Sequence, residues 1–253
     1  MQTKLNSKVP EIIALYWIIK IAATTLGETG ADLFSMTLNI GYDFTIAVFL
    51  SLFAVSLWFK LKQSHYTPVL YWLTFTTSAI AGTAMSDYID RTLGLGYLYG
   101  SSLLLGLLLL ILAVWYFNEK SLSVDKINTP KVEIYYWLAF LVANTLGTAL
   151  GDYMADDLTL GFLSSALIIG GVLLLCAVLH YFTRTSGILL FWLAFVLTRP
   201  FGATFGDYLT KNQLQGGIDI GTVGASAFFA AVLVAALLLE LKRVKTQTAE
   251  PPH

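Results

Sequence analysis

Four aspartates recur at a fixed distance behind four tryptophans. Trp17, Trp72, Trp137 and Trp192 are each followed ten residues later by a glycine (Gly27, Gly82, Gly147, Gly202) and fifteen residues later by an aspartate (Asp32, Asp87, Asp152, Asp207). On a helix, positions three, seven, eleven and fifteen after the tryptophan lie along one slowly drifting stripe. In chain order the stripe reads Lys20, Thr24, Glu28, Asp32; then Phe75, Ala79, Thr83, Asp87; then Phe140, Asn144, Thr148, Asp152; then Phe195, Arg199, Ala203, Asp207. Carboxylates flanked by hydroxyl and amide oxygens form a hard donor set. Such a set suits Mn²⁺, Mg²⁺, Ca²⁺, Na⁺ or protons rather than a soft metal. Glu28, Asp32, Asp87, Asp152 and Asp207, with Thr83, Asn144 and Thr148 beside them, are therefore the candidate ion-binding residues. The five carboxylates are also the candidate metal ligands.

Near the motif these five acids face only two cations, Lys20 and Arg199, and Asp43 and Asp219 could add to the excess. Buried like charges do not all remain ionised without a partner. The pattern thus calls for a bound cation or for protons, the chemistry of an ion pathway. Lys20 and Arg199 break the repeat symmetry near mid-helix. Glu28 is the plausible partner of Arg199, and Lys20 is read as a counter-ion that occupies the carboxylates when no ion is bound. Pro200 removes a backbone donor and is expected to kink its helix.

The composition sets these residues in lipid. Of 253 residues, 57% are apolar and 12% charged, with a mean hydropathy of +0.71. Soluble domains carry about twice that charge, so a water-soluble enzyme is excluded. A net charge of −1 leaves no basic field for nucleic acid. A single cysteine, Cys176, rules out an internal disulfide and a thiolate metal cage. His65, His180 and His253 lie at segment ends or in the tail. No nucleotide loop, zinc-protease helix or nucleophile elbow is present.

A spanning helix needs about 20 apolar residues. Eight candidates follow, at about 11–36, 42–60, 68–90, 96–117, 132–156, 160–182, 187–210 and 217–240. The expected fold is an all-α integral membrane protein with eight transmembrane helices, arranged as four tandem two-helix repeats over 11–65, 66–125, 126–185 and 186–241. A short N-terminus (1–10) and a polar tail (242–253), expected to be disordered, flank them. The first apolar run is too long for a cleavable signal. A shift of 120 residues maps Trp17 onto Trp137 and Trp72 onto Trp192, which divides the chain into two four-helix halves. A further glycine closes each repeat at Gly41, Gly96, Gly161 and, one residue late, Gly217. The small residues at positions ten and fourteen, led by Gly27, Gly82, Gly147 and Gly202, suit close helix packing in lipid.

Lys4, Lys8, Lys60, Lys62, Lys120, Lys126, Lys131, Arg184, Lys242, Arg243 and Lys245 fall on one side of this topology, and only Arg91 and Lys211 on the other. By the positive-inside rule both termini are cytoplasmic. The tryptophans, next to Tyr16, Tyr71, Tyr136 and Phe191, read as cytoplasmic belt residues. The aspartates then lie about 22 Å further along, towards the outer boundary. The plainer even-numbered helices, such as 103–113 and 230–239, are expected to form a lipid-facing ring around the odd ones.

Four tandem two-helix repeats with a tryptophan and a glycine–aspartate signature resemble a family of uncharacterised bacterial multi-pass membrane proteins, a repeat of unknown function. The resemblance implies a bacterial cytoplasmic membrane and no particular activity. The residues themselves point to a secondary transporter for a cation, a hard divalent metal such as Mn²⁺ or a proton-coupled ion. Its partners would be the bilayer and a small cation or cationic substrate, with no cofactor beyond a possible bound divalent ion. Two other readings stand beside it: an intramembrane enzyme acting on a lipid-type substrate, and a structural or regulatory protein whose polar stripe only specifies assembly.

Overall fold

A computed structural model describes residues 8–124 and 127–249; Lys4, Lys126 and 250–253 of the tail lie outside them. Eight long helices carry the described chain: α1 (Ala14–Asp32), α2 (Tyr42–Lys62), α3 (Pro68–Asp87), α4 (Gly96–Glu119), α5 (Pro130–Asp152), α6 (Phe162–Phe182), α7 (Gly187–Thr210) and α8 (Thr222–Ala249). Proline at the first turn of α3 and of α5 starts those helices where a free N–H would go unused. Six helices, all but α1 and α3, are long and apolar enough to cross a membrane. The exceptions have a physical cause. α1 carries Lys20, Glu28 and Asp32, and α3 is rich in threonine and serine, with nearly all these polar residues turned inward.

The odd helices form a closed ring, α1 against α3, α3 against α5, α5 against α7, and α7 back against α1. The even helices lie outside, each on the inner helix of the following repeat: α2 on α3, α4 on α5, α6 on α7 and α8 on α1. Their outward side chains are large and apolar, among them Leu52, Leu109, Leu167, Leu174 and Leu238. Only 28% of the α4 span is buried, against 67% of α5. A helix that is apolar all round gains little from turning any one face inward. The polar stripes decide which helices go to the centre.

The motif glycines close the ring. An added Cβ at Gly27 would stand 2.6 Å from Ala79 Cβ, at Gly82 2.9 Å from Asn144 Cβ, and at Gly202 2.7 Å from Thr24 Oγ1; at Gly147 it would overlap the Arg199 side chain. In every case position ten of one repeat seats position seven of the next, and the fourth repeat seats the first. Close backbone approach of this kind is how helices associate where no hydrophobic driving force separates them from lipid.

Three expectations change. The tryptophans are not belt residues: Trp72, Trp137 and Trp192 are buried, and Trp17 is half-buried. Their neighbours at the preceding position stack on the tryptophan of the next repeat, as Tyr16 does on Trp72 and Tyr71 on Trp137. Indole nitrogens that a belt would leave to headgroups are used internally, Trp72 donating to Glu240 (2.7 Å) and Trp192 to the Leu122 carbonyl (3.0 Å). Second, the closing glycine of the fourth repeat is Gly221, not Gly217. Gly41, Gly161 and Gly221 each stand at positive φ directly before an outer helix. Gly217 instead lies against the Lys211 carbonyl, in a loop enlarged by the turn Gln213–Gln215, which moves the start of α8 to Thr222. Third, α8 continues to Ala249, so the chain after Leu241 is helical to that point. The spans expected at about 11–36, 68–90 and 132–156 run past the aspartates, and there α1, α3 and α5 widen into a π turn (Leu33–Thr37, Tyr88–Thr92, Tyr153–Asp157).

Candidate functional site: an acidic ring at one end of the inner helices

Because the repeats enter the ring in the same direction, equivalent positions form layers about 6 Å apart. The layer at position three holds Lys20 with Phe75, Phe140 and Phe195. The rings contact edge to face in sequence, Phe75–Phe140 at 4.4 Å and Phe140–Phe195 at 5.0 Å between centroids. The Lys20 ammonium completes the layer, 4.0 Å from the Phe195 ring centre, 5.2 Å from Phe75 and 5.7 Å from Phe140. It donates to the Phe195 carbonyl at 3.1 Å. Among the described residues no carboxylate lies within ion-pair distance of it, so Lys20 is not the counter-ion expected from its charge. The aspartates begin three layers away, and α1 holds the amine in the aromatic layer.

The next two layers share one cation. Arg199, from the fourth repeat, reaches across the axis. It donates to the Thr24 carbonyl (3.0 Å), to Thr148 Oγ1 (2.9 Å), to Thr83 Oγ1, and to Glu28 Oε2 at 3.3 Å. Thr83 and Thr148 also stand 3.4 and 3.3 Å from that carboxylate oxygen. Glu28 and Arg199 are both about 1–3% exposed. Thr83 and Thr148 therefore serve the Arg199–Glu28 pair. Asn144, in the Arg199 layer, donates to Ser78 (3.0 Å), about 12 Å along the helix from Asp152, and is not among the groups at the acidic ring.

At position fifteen the four aspartates, each 2% exposed, close the ring. Two basic residues that the charge count left out pair with them, one cation to each two aspartates. Arg91 lies 3.5 Å from Asp87 and 3.1 Å from Asp152; Lys211 lies 3.2 Å from Asp207 and 2.7 Å from Asp32. Each cation belongs to one repeat and reaches the aspartate of the next. Burial works against the Lys211 ammonium, but the carboxylates of Asp207 and Asp32 outweigh it and hold its pKa above the ordinary lysine range. The clasps were visible in the sequence as the only two basic residues at that end, four positions after an aspartate and 120 apart. Asp43 and Asp219 are exposed and add nothing to the ring. Asp90 was also missed. It is buried against α4, accepts from Ser86 (3.3 Å), and fills the space a side chain at Gly100 would need.

Five inner carboxylates thus meet three cations, in two sets. Asp87 and Asp152 share Arg91. Glu28, Asp32 and Asp207 come together around Lys211 and Arg199, each offering one oxygen, all within 4.8 Å of one another. The 120-residue shift carries Asp87, Asp152 and Arg91 onto Asp207, Asp32 and Lys211, whereas Glu28 and Arg199 have Thr148 and Ala79 as their equivalents.

Four consecutive stretches, 15–66, 70–121, 135–186 and 190–246, match one family, described as Repeat of Unknown Function (DUF347). The chain belongs to this family. No curated protein and no solved structure matches it. The repeat carries the whole inner ring, so the layers described above are properties of four DUF347 units set around one axis.

Proposed function

We propose that this DUF347 protein is a secondary transporter for a hard cation, with Glu28, Asp32 and Asp207 as the ion site. The observation that carries the reading is the convergence of three buried carboxylate oxygens within 4.8 Å. That spacing allows one ion to bridge them all. Lys211, which already contacts Asp32 and Asp207, acts as the internal competitor, while Arg199 stays on Glu28. An arriving cation displaces Lys211, whose side chain is 17% exposed and can swing to water. Competition of this kind couples ion binding to opening of the ring. Asp87, Asp152 and Arg91 form the pseudo-symmetric closure on the opposite side and take part without holding the ion.

In this reading all eight helices cross the membrane. α1 and α3 are insulated by their neighbours, so their polar faces do not meet lipid. The basic end, with Lys60, Lys62, Lys131, Lys242 and Arg243, lies in the cytoplasm together with both termini, in a bacterial cytoplasmic membrane.

Reconstitution tests the reading. Vesicles containing the purified protein are challenged with Mn²⁺, Mg²⁺, Ca²⁺ and Na⁺ under an imposed pH gradient. Saturable uptake of one ion, absent with Asp207→Asn, is the expected result. A second reading, in which the acids only tie the repeats together, draws on the ion-pair partner that every ring aspartate has. It prevails if no ion moves above protein-free vesicles, or if Asp207→Asn transports like the wild type.

A further inference from the structure

Among the described residues Lys20 is a buried charge without a counter-ion. It is 1% exposed, makes one hydrogen bond, and faces three phenyl rings. One layer on, Arg199 is equally buried, and its Nε has no hydrogen-bond partner among the described residues. The only carboxylate in these three layers is Glu28, which is held by Arg199, Thr83 and Thr148. The segment between the aromatic layer and the acidic ring therefore contains two cations and one anion. A buried charge is costly unless it is paired, and cation–π contacts together with a single carbonyl do not replace hydration.

The asymmetry is specific. At position three the other repeats carry phenylalanine, and at position seven the siblings of Arg199 are Thr24, Ala79 and Asn144. Both cations were thus placed in repeat positions that do not otherwise need charge, in repeats one and four, which adjoin where the ring closes.

We propose that a small monovalent anion, a halide or a short carboxylate, binds beside Lys20 and the Nε–H of Arg199. Because the phenyl rings of this layer pack closely on one another, the proposed ligand is confined to the smallest anions. The ion completes the hydrogen bonding of both cations and neutralises the inner segment. This inference goes beyond the cation reading and does not use the aspartates, so either can fail alone.

Thermal unfolding of the full-length protein in detergent tests it. Sodium is held constant while gluconate, too large for the site, is replaced stepwise by fluoride, chloride or formate. The expected result is a saturable rise in Tm of about 2–4 °C with at least one small anion. Lys20→Phe, which installs the residue of the other three repeats, abolishes the rise, and Lys20→Met does the same if the phenyl variant does not fold. Lys20→Arg and Asp207→Asn keep it. No response above gluconate in the wild type, or a response that persists in Lys20→Phe or Lys20→Met, overturns the proposal.

Discussion

Two neighbouring regions of the inner ring solve the same electrostatic problem differently. In the Arg199 region one guanidinium meets one carboxylate, two hydroxyls and a backbone carbonyl, at 1–3% exposure. In the acidic ring, one turn further, four buried carboxylates meet two cations whose side chains are 17% and 33% exposed. The first arrangement is tied to the backbone from several directions and cannot change without breaking the bundle. The second is closed by two side chains that reach in from the rim, are partly open to water and, in the proposed transport cycle, leave. The same repeat thus supplies a fixed layer and a releasable one, and what separates them is access to water.

The largest effect should come from the fixed layer. Arg199→Leu strands the Glu28 carboxylate in the interior, and a buried pair broken from one side costs about 3–5 kcal/mol. Chemical unfolding in detergent should show this loss, and Glu28→Leu in the same chain should recover most of it. A small loss on Arg199→Leu would mean that Glu28 is already neutral or partnered elsewhere, and the contrast between the regions would fall. Gly147→Ala attacks the same layer from behind, since the new methyl overlaps the Arg199 side chain. Overpacking there should cost about 1–3 kcal/mol, whereas Gly171→Ala, with open space around it, should cost much less.

At the releasable ring the losses should be smaller and unequal. Lys211→Met removes charged contacts from Asp32 and Asp207, and about 1–2 kcal/mol is expected at the rim. Arg91→Met should cost less, about 0.5–1 kcal/mol, because its side chain is more exposed. The two variants also sharpen the comparison between the pseudo-symmetric sets. Without Lys211, added Mn²⁺ or Ca²⁺ should raise the unfolding temperature more than in the wild type, because Asp32 and Asp207 lose their competitor beside Glu28. Without Arg91 the response to these ions should not grow. Equal responses would remove Glu28 as the distinguishing ligand. The smallest effect belongs to Asp43→Asn, an exposed residue outside the ring, with a change within about 0.5 kcal/mol.

Much of this arrangement could be read along the chain. The spacing of tryptophan, glycine and aspartate identifies four equivalent units, and a period of four within each places lysine, arginine, glutamate and aspartate on one face. Apolar length locates the eight helices, and the plainness of the even ones marks them for the outside. The misreadings share one cause. Trp72 and Trp137 resemble belt residues because a helix near a charged linker normally turns indole to the headgroups. The bundle instead uses these indoles to pack one repeat on the next. Lys20 reads as a partner of the aspartates because both lie on one stripe, yet three layers separate them along the axis. Arg91 and Lys211 count along the chain only as the sparse basic residues of one end, because nothing local shows that either reaches the aspartate of a following repeat.

The sequence by itself determined that this is a lipid-embedded helical repeat with a polar stripe in each unit, since periodicity and hydropathy are local properties of the chain. The order in which four units close into a ring, and hence which acid meets which cation, was decided only by tertiary structure. Charge pairing depends on distances of a few ångströms between residues as far apart as Asp32 and Lys211, and those distances exist only once Gly202 and Thr24 have brought the fourth repeat against the first.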